Sequence, residues 1–397
     1  MSNNYFCSLP WISFYIGANG HRRLCCNSQI IDNSYFKESD LINKTKRSLV
    51  TINKPDICHH CWELENTHIV NSYRESIVEK YPNIKSNYAK KIITSQKQYI
   101  PIIFELRLDD TCNLACRTCG PFNSSGWYKE QFLQDPSFIT HDNLQTSIIK
   151  ENNKYSIPKR WQWFEDKSCW PIIKDLLSNS IKHNGHCYIK LQGGEPFLQT
   201  SHYLFLEYIQ DISKDIVLQY TSNATVFPIE LISIWKNFKS IDLSVSIDGV
   251  GNINNYIRYP SNFNTLESNI LKLKEINYIN LTILNTITTY SCLYLDQLCK
   301  WIEKNNLILS CNFAYNINDS IFSPLCMNRN LLLKSSAKLS KVNNLPDTLK
   351  NVSKVFSSFL PKKNKINEFW EFNNRIDLYR NQNIIDYLPE LREVLIV

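Results

Sequence analysis

The sequence predicts an α/β fold: a parallel sheet with crossover helices, set behind a small cysteine-rich module and followed by a helical tail. Three observations lead there. From Ile100 onward, strand-like apolar runs alternate with segments of helical periodicity. Ahead of that alternation, five of the 14 cysteines fall within the first 61 residues. After Cys326 no cysteine occurs, and the remaining pattern is helical. Strands that alternate with helices over this length imply right-handed crossovers, in an open sheet or a barrel.

The elements follow in order. Residues 1–75 have short apolar pieces, turns at Gly17 and Gly20 and a Cys-x2-Cys pair, the marks of a metal-stapled module. Residues 76–99 are polar with helical spacing and read as a connector. The core spans 100–327, with strands expected at 101–108, 186–191, 215–220, 241–247, 279–287 and 307–314. Helices are expected between them at 171–182, 199–213, 228–238, 264–276 and 292–304. An insertion, 121–170, separates the first two strands and carries Trp161, Trp163, Phe164 and Trp170. Residues 328–397 read as a helical region without a chemical motif.

Composition narrows the function classes. With 397 residues, 43% of them hydrophobic and 20% charged, the chain is neither disordered nor fibrous. No run of about 18 apolar residues occurs, so no membrane partner is expected. The N-terminus lacks a basic start, and Pro10 and Gly17 interrupt its apolar stretch, so a secretory signal is not expected. A cytoplasmic location follows, where disulfides are disfavoured and cysteines turn to metal or redox chemistry. The net charge of +7 is dispersed over Lys residues. It allows a nucleic-acid partner, while a solvated surface is the simpler reading.

The first core strand runs into Asp109-Asp110-Thr111-Cys112-Asn113-Leu114-Ala115-Cys116-Arg117-Thr118-Cys119-Gly120. Cys112, Cys116 and Cys119 thus stand in a Cys-x3-Cys-x2-Cys loop at a strand's C-terminal end, the edge where parallel α/β folds put their sites. Three thiolates on a short loop can hold three irons of a cubane cluster and leave the fourth open; zinc completed by a nearby residue is the alternative. The second strand leads into Gln192-Gly193-Gly194-Glu195-Pro196. Two glycines let a ligand approach the backbone, and Glu195 offers a carboxylate to a cation.

This pairing resembles the radical S-adenosylmethionine (SAM) superfamily. The resemblance implies a partial (β/α)6 TIM-like barrel, a 4Fe–4S cluster on Cys112, Cys116 and Cys119, and a Gly193–Pro196 turn that receives the SAM amino group. Thr221-Ser222-Asn223-Ala224 resembles the strand end that approaches the SAM ribose, through Ser222 and Asn223. Ser246 in Ser246-Ile247-Asp248-Gly249, with Arg258 twelve residues later, resembles the pair that holds the SAM carboxylate in the sulfatase-maturase-like branch. A hydroxyl and a guanidinium suit that group; Asp248 reads as a residue that shapes its turn. Many relatives have an aromatic residue just before the third cysteine; here it is Thr118, with Phe122 as a nearby candidate for the adenine. The resemblance implies reductive cleavage of SAM to a 5′-deoxyadenosyl radical that abstracts a substrate hydrogen, with a low-potential electron donor of flavodoxin or ferredoxin type.

The N-terminal cysteines read Cys7-x2-Pro10-Trp11, then Gly20-x4-Cys25-Cys26, then Cys58-His59-His60-Cys61. This looks like the opening of the SPASM and twitch modules, which bind auxiliary Fe–S clusters in peptide-modifying radical SAM enzymes. The whole resemblance covers roughly residues 5–320 and is to members with an N-terminal twitch domain. It implies Cys7, Cys25, Cys58 and Cys61 as auxiliary ligands, with Cys26 as the alternate to Cys25 and zinc as the alternative metal. His59 and His60 read as solvent-facing.

Three functions stay open on sequence. The first is radical modification of a peptide or protein; the second is the same chemistry on RNA, a nucleotide or a small metabolite. The third is a non-catalytic zinc or Fe–S protein, which fits least because Gly193, Gly194, Glu195, Ser246 and Arg258 suit SAM rather than zinc. Cys311 and Cys326, near the sheet's C-terminal edge, are candidate hydrogen-donating thiols, with a packing role as the alternative. The other four cysteines read as buried small hydrophobes.

Overall fold

The computed structural model describes residues 6–18, 20–28, 40–50, 54–69, 71–80, 100–139, 145–157, 163–314 and 319–395. Trp161 and most of the expected connector, 81–99, lie outside these residues. The architecture is α/β, built on one mostly parallel sheet of eight strands. The strands of this sheet are β1 (Ser13–Ile16), β2 (Arg22–Arg23), β3 (Ile103–Arg107), β8 (Cys187–Gln192), β9 (Ile216–Ser222), β10 (Ser240–Ser246), β11 (Ile279–Ile287) and β12 (Leu309–Phe313). The intervening β4 (Ser137–Ile139) and β5 (Gln145–Ser147), and β6 (Ile149–Glu151) and β7 (Lys154–Ser156), form two separate antiparallel hairpins in the insertion.

Across the sheet the order is β12-β11-β10-β9-β8-β3-β1-β2, and every pair but β1–β2 is parallel. The six strands after residue 100 match the expected alternation within two residues at most ends. The strand β1 was not expected. Its residues Ser13–Ile16 lie alongside Ile103–Leu106, so the N-terminal segment extends the sheet.

Helices cover one face. Ile173 and Leu177 on the helix Cys169–Asn184, and Leu266, Ile270 and Leu273 on Phe263–Lys274, recur at helical spacing and are fully buried. They pack on Phe104, Leu106, Ile189, Leu191, Leu218, Leu243 and Ile283 in one continuous core, joined by Trp163, Phe164 and Trp170 of the insertion. The helices Arg329–Leu339, Asp347–Ser358 and Ile366–Arg380 build a second core with Tyr290, Leu293 and Phe313. No helix among the described residues is long and apolar enough to cross a membrane.

The opposite face is polar. A parallel sheet covered on both sides would read as unbroken apolar strands. Here burial alternates along β8, β10 and β11. The register sets Tyr15, Glu105, Lys190, Gln219, Asp242 and Asn280 in one row across the sheet. One step toward the C-terminal edge, Arg107 stands beside Gln192, and Thr221 beside Ser244. At its C-terminal edge, Tyr15, Arg107, Gln192 and Thr221 of this face line a cavity.

Candidate functional site

The three-cysteine loop leaves β3 and is tied down on every side. Asp109 caps it, accepting from Thr111 N (2.7 Å) and Thr111 Oγ1 (2.8 Å). From the insertion, Ser125 N donates to Asp110 O (2.7 Å), and Cys112 N donates to Ser125 Oγ (3.1 Å). Trp127 Nε1 donates to Cys116 O (3.1 Å). On the far side, Ala115 N reaches Tyr259 O (2.6 Å) and Arg117 N reaches Ile257 O (2.8 Å).

Arg117 turns away from the cysteines and is 0% exposed. Its guanidinium donates to Asp377 Oδ1 (2.5 Å), Asn373 Oδ1 (3.1 Å), Gln382 Oε1 (2.9 Å) and Tyr256 O (3.1 Å), and it lies 3.6 Å from the Tyr256 ring centroid. Beside it, Arg380 pairs with Glu130 (2.9 Å) and donates to Ala115 O (2.8 Å). The helix Ile366–Arg380 of the C-terminal region, which carries no chemical motif, therefore underpins the loop.

With Arg117 pointing down, Cys112, Cys116 and Cys119 line one cavity of about 330 Å³. Gly193, Gly194, Ser222, Asn223, Ser246 and Arg258 line it too. Burial pushes all three thiols up, Cys119 to about 11, so metal uptake would release protons. Arg258 forms an ion pair with Asp248 at 2.8 Å. Asn223 Nδ2 donates to Asn113 Oδ1 (3.1 Å) and lies 3.8 Å from Cys112 Sγ.

Glu195 and Pro196 are buried under the turn and do not line the cavity. Glu195 ties β8 to β9 instead, accepting from Phe197 N (3.1 Å), Ser222 Oγ (2.7 Å) and Asn223 N (2.6 Å). Burial raises its carboxyl to about 7, against those three donors. Phe122 is also not a lining residue; its ring lies against Gly120.

The two glycines have a physical reason that spacing alone does not reveal. Gly193 (φ +100°) and Gly194 (φ +48°) hold left-handed backbone. A Cβ on Gly194 would stand 2.1 Å from Thr111 O, and one on Gly193 would stand 2.7 Å from Asp109 O. The backbone that approaches them is the start of the cysteine loop.

A second group of cysteines lies beyond β1. Cys7, Cys25, Cys58 and Cys61 line one small space with Ser28, Trp62 and Arg74. Arg74 is fixed by Glu65 (2.6 and 2.8 Å) and by Phe6 O (3.0 Å). Cys26 diverges from Cys25: it lines the first cavity, close enough to Glu105 to feel its charge. His59 and His60 do not line the second space, although His60 is buried rather than solvent-facing. Among the described residues no group of three His, Cys, Asp or Glu converges on a single metal ion. A cubane cluster takes one thiolate per corner iron and suits a wider set of donors.

This split gives a test. Cys25→Ser is expected to lower the metal content of the second group, whereas Cys26→Ser keeps it at the wild-type level. Iron and zinc per chain, measured by plasma emission, check this; equal loss in both variants would show that both thiols bind.

Cys311 is in register with Asn285 and packs against the C-terminal core, and Cys326 is buried in the turn Pro324–Cys326. Neither lines the cavity. Tyr15, Cys26, Arg107 and Gln192 do, and sequence reasoning did not select them for that place. Glu105 and Arg107 gave a signal: charged residues two apart in a strand that is otherwise apolar.

No protein-family profile and no curated protein matches this chain. Among solved structures, native anSMEcpe with bound AdoMet is similar over 60% of this chain and 59% of its own, at 17% identity and a TM-score of 0.41. Streptococcus suis SuiB bound to precursor peptide SuiA is similar over 91% of this chain and 71% of its own, at 13% identity and a TM-score of 0.39. SuiB bound to S-adenosylmethionine gives 89%, 66%, 14% and 0.38 in the same order. The chain spans less than two thirds of the length of anSMEcpe. At these scores the reading of function rests on the site itself.

Proposed function

We propose that this chain is a radical SAM enzyme that modifies a peptide or protein. The observation that carries the reading is convergence. Cys112, Cys116 and Cys119 share one cavity, at the C-terminal edge of parallel strands, with Gly193, Gly194, Ser222, Asn223, Ser246 and Arg258. Four separate strand ends and the C-terminus of the helix Asn252–Ile257 supply these groups, and a lone zinc site would need none beyond the cysteines.

In this reading the three thiolates hold three corners of a 4Fe–4S cluster. A cluster held there would, once reduced by one electron, supply the electron that cleaves SAM to methionine and a 5′-deoxyadenosyl radical able to take a substrate hydrogen. The protein's residues bind and orient. The Gly193–Gly194 backbone faces the SAM amino group, with Glu195 and Pro196 fixing the turn from below. Ser222 and Asn223 face the ribose, and Ser246 and Arg258 face the carboxylate. The polar sheet face acts as the wall of a partial barrel that shields the reaction. Cys7, Cys25, Cys58 and Cys61 hold an auxiliary Fe–S cluster, with zinc as the alternative. The resemblance of the N-terminal cysteines to SPASM and twitch modules favours a peptide or protein substrate. A flavodoxin- or ferredoxin-type donor and a cytoplasmic setting complete the proposal.

Anaerobic reconstitution is expected to load about eight irons per chain and to give 5′-deoxyadenosine from SAM under a low-potential reductant. A variant with Cys112, Cys116 and Cys119 all changed to Ala should form none, by chromatography of the nucleoside. Cleavage by that variant would sink the reading. About four irons plus one zinc would remove only the auxiliary cluster.

A further inference from the structure

We propose that Arg107 forms a carboxylate-binding subsite in the cavity, so that the group presented to the three-cysteine loop carries an acidic function. Assigning that carboxylate to the substrate rests on the function proposed above; the subsite itself rests on the following geometry.

Arg107 is the last residue of β3 and lines the cavity beside Cys119, Gly193 and Gln192. Its side chain runs along the glycine turn: a Cβ on Gly193 would stand 2.5 Å from Arg107 Cγ and 3.3 Å from Nε. Two other cations near this cavity are ion-paired. Lys190 lies 3.6 Å from Glu105, which also accepts from Tyr73 OH at 2.7 Å, and Arg258 lies 2.8 Å from Asp248. Among the described residues, no carboxylate lies within ion-pair distance of Arg107, and its guanidinium donates no hydrogen bond to protein. Its charge is felt by the thiols of Cys119 and the hydroxyl of Tyr15 without a bond to either.

A guanidinium in a cavity wall with no carboxylate partner among the described residues can pair with an anionic group that enters the cavity. Its planar fork of five donors matches a carboxylate in a bidentate pair. Position separates it from Ser246 and Arg258, the pair assigned to the SAM carboxylate. Arg258 and Ser246 belong to the β10 side of the cavity, whereas Arg107 stands on the β3 side, with Tyr15 and Cys26 of the N-terminal segment close by. The carboxylate of an Asp or Glu side chain, or of a chain terminus, fits the fork.

The test is arginine footprinting of the iron-loaded full-length protein with phenylglyoxal, mapped by mass spectrometry. Arg107 is expected to be labelled, and glutarate is expected to slow its labelling at least tenfold while glutaramide does not. Glutarate titrated calorimetrically into Arg107→Gln should bind at least about tenfold more weakly than to wild type, as loss of a charge-assisted pair requires. Four results would overturn the proposal: no labelling without ligand, no protection by glutarate, equal glutarate affinity in Arg107→Gln, or full protection by SAM alone. Protection by inorganic phosphate but not by glutarate would also overturn it, in favour of a phosphate subsite. Formation of 5′-deoxyadenosine by the unmodified protein is scored separately. If that fails while glutarate protects Arg107, the radical reading falls and the subsite stands.

Discussion

Gly194→Ala is expected to destabilise the fold by about 2–5 kcal/mol and to empty the three-cysteine loop of iron. Two costs add. At φ +48° an Ala sits in the left-handed region, and its Cβ would stand 2.1 Å from Thr111 O and 2.7 Å from the carbonyl carbons of Asp110 and Thr111. Those atoms are backbone and cannot swing aside. Thr111 O is also the acceptor of Glu195 N at 2.7 Å, so relief on one side breaks the contact on the other. The displaced segment lies one residue before Cys112. Gly185→Ala is the matched control: it has φ +76° but nothing within 4 Å of the added carbon. It should pay only the backbone cost of about 1 kcal/mol and keep full iron content. Urea midpoints, with iron per chain, separate the two. A Gly194→Ala protein as stable and as iron-rich as Gly185→Ala would refute the argument.

The glycines also show how far the sequence could be read. Alternation after Ile100 announced the parallel α/β sheet because each strand and crossover helix carries its own period. The cysteine loop and the Gly-Gly-Glu-Pro turn were legible as motifs because each is contiguous. What spacing could not reveal was which chain approaches which. The glycines read as openings for a ligand; they do line the cavity, and Asp109–Thr111 also packs where their side chains would be. Strand β1 escaped notice because four residues carry little periodicity and its partner β3 is far along the chain. Cys25 and Cys26 were ambiguous because adjacent side chains diverge, and only the surrounding strands decide which cavity each one enters. Arg117 gave the least warning. Nothing in the sequence around it signals burial, because its partners Asn373, Asp377 and Gln382 come from the far end of the chain.

That distant anchoring leads to the other large effect. Asp377→Ala is expected to cost about 3–5 kcal/mol, because it strands the Arg117 guanidinium in a site that is 0% exposed. The same carboxylate accepts from Tyr256 OH (3.0 Å) and Ile384 N (2.7 Å), so two further donors lose their partner. Asp377→Asn keeps an acceptor and should cost less. Arg117→Met removes the charge itself and leaves Asp377 with Tyr256 and Ile384, so it too should cost less than Asp377→Ala. In a double-mutant cycle, Arg117→Met with Asp377→Ala should be well below the sum of the single costs, since no stranded charge remains. Iron uptake adds a readout that general destabilisation would not mimic. Because Arg117 sits between Cys116 and Cys119, the double variant should regain stability relative to Asp377→Ala without regaining iron. If it regains both, the loop keeps its shape without this anchor, and the C-terminal helix is packing rather than positioning. If it regains neither, the cost lies in the helix itself and not in the buried pair.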